Sequence, residues 1–244
     1  MPPREKPPKK PAFACQGKRE REVRADGFRL VAGVDEAGRG SLFGPVMAAA
    51  VVLAAERPIR GLRDSKLLSP EIRAVLAERI KERAVAWAVG AADVYEIDRI
   101  NIYQASRLAM RRAVERLLPK CDYLLVDAAT LDVLLPQEAI IHGDAKCQCI
   151  AAASILAKTH RDECIRRWDE VFPHLGLAKH KGYGTAEHME AIRRHGPTLL
   201  HRFSFAPVRL ACPYEIWTGY DQTEMAANEA RAWTGAAGER ACGA

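Results

Sequence analysis

The sequence contains no apolar run approaching the roughly 20 residues of a membrane-spanning helix. Its N-terminus is basic and proline-rich (Pro2, Pro3, Pro7, Pro8, Pro11) but lacks the apolar core of a signal peptide, so a cytoplasmic location is expected. The seven cysteines (15, 121, 147, 149, 164, 212, 242) include no Cys-x-x-Cys pair. An odd number without that pairing fits reduced thiols better than a disulfide frame or a zinc knuckle. Five of the seven histidines fall at positions 174, 180, 188, 195 and 201 without the nearby cysteines of a mixed zinc site, and His180 and His201 read as local hydrogen bonders. No linker or internal repeat divides the central part of the chain.

What is present is enough apolar content for a sizeable core, 48% of 244 residues. The net charge of +6 and isoelectric point near 9.0 make a polyanion a plausible partner. Residues 1–27 mix Lys, Arg, Glu and Pro and read as a disordered basic arm. Residues 28–210 read as one catalytic domain. Residues 211–244 read as an Ala- and Gly-rich tail, with a short helix around Asp221 to Trp233.

Within the domain, Phe28 to Asp35, Val46 to Leu53 and Ala84 to Val94 have the composition and partial alternation of strands. A helix is expected after Ser69, with Ser69 as N-cap, Pro70 at the first helical position and Ile72, Val75, Leu76 and Ile80 as its inner stripe. Further helices are expected over Ile102 to Leu118, over Gln148 to Glu170 (inner stripe Ile150, Ala153, Ala157, Cys164, Trp168), and from the Thr185 cap to Gly196. Tyr123 to Asp127 and Ala139 to His142 read as short buried strands. Strands first, then alternating helix and strand, predict an α/β fold with a mixed central sheet.

The chemistry concentrates in Val34-Asp35-Glu36-Ala37-Gly38-Arg39-Gly40, closed by Gly44-Pro45. Two carboxylates end an apolar strand and a flexible basic turn follows. Asp127 ends a second apolar strand in the same way. Asp144 lies in a turn after a third, where capping the next helix is its simplest alternative role. Asp162, mid-helix, most simply makes a surface ion pair. Hydrolysis of a phosphodiester with two metal ions about 3.5–4 Å apart needs several carboxylates, one of them able to bridge. Asp35, Glu36, Asp127 and Asp144 would supply such ligands, and the ions would make their mutual repulsion tolerable.

The segment Gly33 to Gly40, with Gly44-Pro45, resembles the first signature of ribonuclease HII. Further pieces follow in that family's order: Asp64-Ser65-Lys66 with Leu68-Ser69, Val126-Asp127, Gly143-Asp144 with Lys146, Ile150 to Lys158, Arg161-Asp162, His180 to Thr185, and His201-Arg202 with Ser204 to Val208. The likeness covers roughly residues 28–209. It implies a ribonuclease H-like fold with a mixed five-stranded sheet flanked by helices. It also implies cleavage of RNA in RNA–DNA hybrids, and nicking of duplex DNA 5′ to embedded ribonucleotides as in ribonucleotide excision repair, leaving 3′-hydroxyl and 5′-phosphate ends.

By the same resemblance, Asp35, Glu36, Asp127 and Asp144 are the catalytic and metal-binding acids, with Mn²⁺ or Mg²⁺ as the cofactor. Gly38, Arg39 and Gly40 would sense the ribose 2′-hydroxyl, largely through backbone, and Tyr183 would stack on the deoxyribose beyond the junction. Lys66 and Lys146, with Lys158, Lys181 and Arg202, are candidate phosphate contacts. The expected partners are RNA–DNA hybrid and ribonucleotide-containing duplex, met by a monomer without a membrane.

Two departures from the pattern stand out. Ala128 occupies a position where many members carry glycine, with small size kept. Cys147 and Cys149 stand where hydroxyl residues are commoner, so any helix-start contact there would be weaker. A hybrid-binding protein without catalysis and another nuclease of the same fold remain as alternatives.

Overall fold

The Val- and Ala-rich segments do form one sheet. In the computed structural model, which describes Cys15 and residues 17–211, the chain runs through helix α1 (Lys18–Ala25), strands β1 (Val31–Ala37) and β2 (Val46–Leu53), helix α2 (Pro70–Arg83), strand β3 (Ala84–Ala92) and helix α3 (Val94–Glu115). Strands β4 (Tyr123–Asp127) and β5 (Gln137–Ile140) follow, then the helical turn α4 (Gly143–Lys146), the long helix α5 (Gln148–Val171), and α6 (Leu177–His180), α7 (Ala186–His195) and α8 (Ala206–Ala211).

The sheet order is β3-β2-β1-β4-β5; β1 pairs antiparallel with β2 and parallel with β4, and β4 pairs parallel with β5. One face packs Ala32, Val34, Ala48 and Ala50 against Ala105, Ala109, Met110 and Ala113 of α3. The other packs Ala49 and Val51 against α2 and the start of α5. A central sheet covered on both faces explains why these strands are nearly continuous apolar runs. The stretch Cys149 to Ala157 of α5 is buried on every side. Its small residues let the helix lie directly on β1, where a Cβ at Gly33 would fall inside the Cys149–Ile150 backbone.

Several local expectations are corrected. Strand β1 starts at Val31, not Phe28, because the amides of Arg29 and Leu30 are taken by the Asp122 carboxylate at 2.8 and 2.9 Å. Strand β3 stops at Ala92: Asp93 and Glu96 form a reciprocal capping box that starts α3 eight residues before the expected Ile102. At Asn101 (φ 66°) the helix kinks, and the Asn101 side chain accepts from the Gln104 amide at 3.1 Å, so the stretch from 102 begins as a freshly capped helix.

Helix α2 begins at its Ser69 cap and Pro70 as expected, but its inner stripe is Arg73, Leu76, Ala77 and Ile80. Ile72 and Val75 are about half exposed. Arg73 explains the rotation, since its Nη1 donates to the Ser65 carbonyl at 2.6 Å and pulls that side of the helix inward. Part of the segment expected as a disordered arm is ordered. Lys18–Ala25 is a helix with Glu20 and Val23 buried, a burial hidden by its charge-rich sequence. The helix expected around Asp221 to Trp233 lies outside the described residues.

Candidate active site

The parallel pairing of β1 with β4 aligns Val34 with Val126, which brings Asp35, two residues before the end of β1 rather than at it, beside Asp127 at the end of β4. β5 lies next to β4, and the α4 turn that follows it carries Asp144 back to the same edge. The Asp127 Oδ1 accepts from the Gly143 amide at 2.7 Å and so ties the third acid's turn to the second acid.

The carboxyls of Asp35, Glu36 and Asp144 resist ionisation. Burial, then Glu36, then Asp127 hold Asp35 well above the usual carboxylate range, against the Ser154 hydroxyl and the Glu36 amide. Burial raises Glu36 as well, opposed by Arg39, whose Nη1 lies 3.3 Å from Oε1, with Asp127 adding to the rise. Asp144 is raised by burial, then by Asp64 and Asp127, with Lys66 opposing. Burial lowers Lys66, but Asp64, Asp144, Asp35 and Asp127 together hold it above its ordinary value.

All four expected acids thus share one electrostatic environment, and their donors are all oxygen, a set suited to Mg²⁺ or Mn²⁺. Among the described residues no three His, Cys, Asp or Glu groups stand at metal-holding spacing.

Beside the acids, the Gly38-Arg39-Gly40 turn is laced to two distant segments. Leu42 donates to the Gly182 carbonyl at 2.8 Å, Arg202 to the Leu42 carbonyl at 2.9 Å, and Ser41 bridges to Tyr183. Underneath lies Arg161, fully buried. Its guanidinium donates to the carbonyls of Pro45, Phe43 and Lys181 at 3.1–3.2 Å and to the Ser41 hydroxyl at 2.7 Å. Gly38 has φ 96° and sits where a Cβ would strike that guanidinium, so both conformation and space exclude a side chain there. Tyr183 keeps 36% of its surface exposed, with Arg161 and Lys158 over its ring at 5.6 and 5.9 Å.

Residues 32–208 match the family model described as Ribonuclease HII. The ribonuclease HII of Solibacter usitatus is 65% identical over 197 residues, 81% of this chain and 86% of that protein. The chain belongs to the ribonuclease HII family. The Koribacter versatilis ribonuclease HII is 52% identical over 203 residues, 83% of this chain and 80% of that protein. Among solved structures, the Pyrococcus horikoshii ribonuclease H2 superposes with a TM-score of 0.64 at 26% identity, covering 75% of this chain and 97% of that one. The Archaeoglobus fulgidus ribonuclease HII, solved in complex with PCNA, gives 0.61 at 26% identity over 71% and 94%. As a ribonuclease HII, the protein is a metal-dependent endonuclease of the ribonuclease H type.

The Tyr183 loop hangs on three buried histidines, each held in one tautomer by its hydrogen bonds. The Thr198 amide donates to His201 Nδ1 at 2.9 Å, so the His201 proton is on Nε2. That proton faces His188 Nε2 at 3.2 Å, which leaves His188 protonated on Nδ1, 3.0 Å from the Tyr183 carbonyl it donates to. By the same logic the Gly182 amide donates to His180 Nδ1, and His180 Nε2 donates to the Leu175 carbonyl at 3.0 Å. Every step needs neutral rings. Burial, then His180, pushes His188 down to about 4; burial, then His188, pushes His201 down to about 3.

Of the candidate phosphate contacts, Lys66 and Lys146 are exposed beside the acids. The other three are corrected. Arg202 is fully buried and donates to the carbonyls of Gly44 and Arg39 at 3.0 and 2.8 Å. Lys158 pairs with Asp162 at 2.6 Å, and both side chains are largely covered, so Asp162 is not a surface ion-pair former. Lys181 turns its amine onto the Ala178 carbonyl.

Ala128, after Asp127, has φ 47°. The glycine expected there serves the left-handed backbone rather than small size, and alanine is strained by roughly 1 kcal/mol. Sequence reasoning missed roles for Asp64, beside Asp144 and Lys66, and for Ser154, whose hydroxyl meets Asp35. Both lie in motifs that resemble the family's, which was the only signal for them.

Proposed function

We propose that the protein hydrolyses the RNA strand of RNA–DNA hybrids and nicks duplex DNA 5′ to embedded ribonucleotides, with Asp35, Glu36, Asp127 and Asp144 holding two Mg²⁺ or Mn²⁺ ions. The observation that carries this reading is the convergence, at one sheet edge, of mutually repelling carboxylates with the Gly38–Gly40 turn and Tyr183 laced together next to them. Ions held there would supply activation of the attacking water and charge compensation at the leaving oxygen.

The chain's own residues prepare that chemistry. Asp35 and Asp127, on paired rigid strands, define where cations can sit, and Ser154 and the Glu36 and Gly143 amides orient their oxygens. Lys66, held charged by four neighbouring acids, meets the phosphate near the bond to be broken. The Gly38 to Gly40 backbone, free of side chains, approaches the ribose closely enough to meet a 2′-hydroxyl. The exposed Tyr183 ring stacks on the neighbouring deoxyribose. Products would carry 3′-hydroxyl and 5′-phosphate ends.

A labelled duplex containing one ribonucleotide, incubated with protein and Mn²⁺ or Mg²⁺, should be nicked on the 5′ side of that ribonucleotide, and EDTA should stop the reaction. Hybrid binding without a nick under either metal would reduce the protein to a binder and sink the proposal.

A further inference from the structure

Helix α5 is 24 residues long and starts without a cap of its own, since the Cys147 side chain makes no capping bond. Its first-turn amides therefore need acceptors from elsewhere, and its N-terminal end carries partial positive charge. One acceptor comes from α1. Glu20, 4% exposed, takes the Cys149 amide on Oε1 at 3.0 Å from 129 positions away. The segment around it is sewn to the same place. Gln148 Nε2 donates to the Cys15 carbonyl at 2.8 Å, the Cys15 thiol donates to the Asp144 carbonyl at 3.1 Å, and Arg19 pairs with Glu138 of β5 at 2.7 Å.

Asp144 stands on the four-residue turn α4, joined to α5 through Cys147, whose amide donates to the Gly143 carbonyl at 2.7 Å. A turn this short has little helical rigidity of its own. Its position is set on one side by the Asp127–Gly143 bond and on the other by whatever holds the first turn of α5 and the Asp144 carbonyl.

We infer that Cys15 and Glu20 are positioning residues of the active site: by capping α5 from another helix and gripping the Asp144 backbone, they set the placement of Asp144 for cation binding. The inference rests on the proposed role of Asp144 as a metal ligand. It assigns the N-terminal helix to the metal site rather than to a detached arm.

The test uses the full chain and the variants Glu20→Ala, Glu20→Gln and Cys15→Ala. Mn²⁺ affinity would be read by electron paramagnetic resonance of the free ion, beside kcat and KM on a hybrid. Outer partners of metal ligands usually change affinity by about 10–100-fold. Glu20→Ala should weaken Mn²⁺ binding about tenfold at unchanged KM, with kcat recovered at saturating Mn²⁺. Glu20→Gln, which keeps an acceptor oxygen, should stay within about threefold of the parent protein, a split that simple loss of stability would not produce.

Parental Mn²⁺ affinity in Glu20→Ala, or equal losses in the Ala and Gln variants, would overturn the assignment. Should Glu20→Ala fail to fold, Cys15→Ala decides: a severalfold weaker Mn²⁺ affinity supports the inference, and parental affinity overturns it. Absence of both Mn²⁺ binding and cleavage in the parent protein would instead remove the metal-site reading itself.

Discussion

The acid cluster and the glycine turns lie side by side, yet opposite kinds of interaction hold them. The acids are placed by the main-chain register of β1 and β4, and burial first, with neighbouring carboxylates adding to it, leaves Asp35, Glu36 and Asp144 all harder to ionise than usual. The turns depend on side chains from far along the chain. Arg161 and Arg202 are buried cations whose partners are mainly carbonyl oxygens, and His201 bonds to His188, which donates to the Tyr183 carbonyl, with the His180 ring stacked on His188. The region that would accept cations is left electrostatically frustrated. The region that must keep its shape is dense in hydrogen bonds. Stability and cation binding are thus separated between neighbours only a few residues apart in sequence.

The largest expected effect comes from the frustrated half. Asp35→Asn should lower cleavage by at least about 10³-fold while hybrid binding survives, because a ligand to ions that contribute several kcal/mol to the transition state is lost. The same change should raise the thermal midpoint of the metal-free protein. The folded-state pKa of Asp35 lies above its unfolded value, so ionising it costs stability as pH rises from the ordinary carboxylate range towards the folded value. Asparagine never carries that charge. A lowered midpoint in EDTA would break the contrast between the two regions.

Arg161→Met should do the reverse and destabilise by at least about 3 kcal/mol in urea titration, since several buried carbonyls each lose a donor worth about 1–3 kcal/mol. A small loss would mean that the turns are not held from beneath. Acid should loosen this half as well. His188 and His201 titrate lower when folded (about 4 and about 3) than when unfolded, so their neutral forms are favoured by folding. Their contribution is complete above the ordinary histidine value near 6.5 and falls, by up to about 1.4 kcal/mol per pH unit for each, as pH drops towards those values. His201→Gln should flatten that slope in melts from pH 7 to 5.

Tyr183→Ala should cut nicking at a single ribonucleotide more than cleavage of long hybrids. Stacking on nucleic acid is worth about 1–3 kcal/mol. Equal losses on both substrates would count against junction reading. The smallest effect is expected at Ala128, beside the acids: Ala128→Gly should stabilise by up to about 1 kcal/mol as the left-handed strain is relieved, visible as a midpoint shift of a few degrees.

Much was legible where one short segment contains its own reason. Tyr123–Asp127 and Val46–Leu53 are strands with the expected bounds, and Ser69 and Thr185 cap the helices they were expected to cap. What stayed hidden depended on partners far away. Arg202 looks like a surface cation until its contacts with Gly44 and Arg39 are seen, and Glu20 looks like one charge among many until α5 needs a cap. Ile72 and Val75 mimic an inner stripe because the true one includes a buried arginine.

By itself the sequence singled out the acids, the glycine turn, the order of the central strands and long helices and, through motifs that resemble a known family in their order, the ribonuclease HII character of the chain. Local apolar patterning and turn residues are sufficient for the strands and helices named above, and the family character came from the resemblance of the motifs. Only the tertiary structure decided that Asp35 and Asp127 are neighbours, that Arg161, Arg202 and the histidines hold the glycine turns, and that Cys15, just before α1, reaches the Asp144 carbonyl. Those facts rest on hydrogen bonds and desolvation between residues as many as 163 positions apart, which no local pattern encodes.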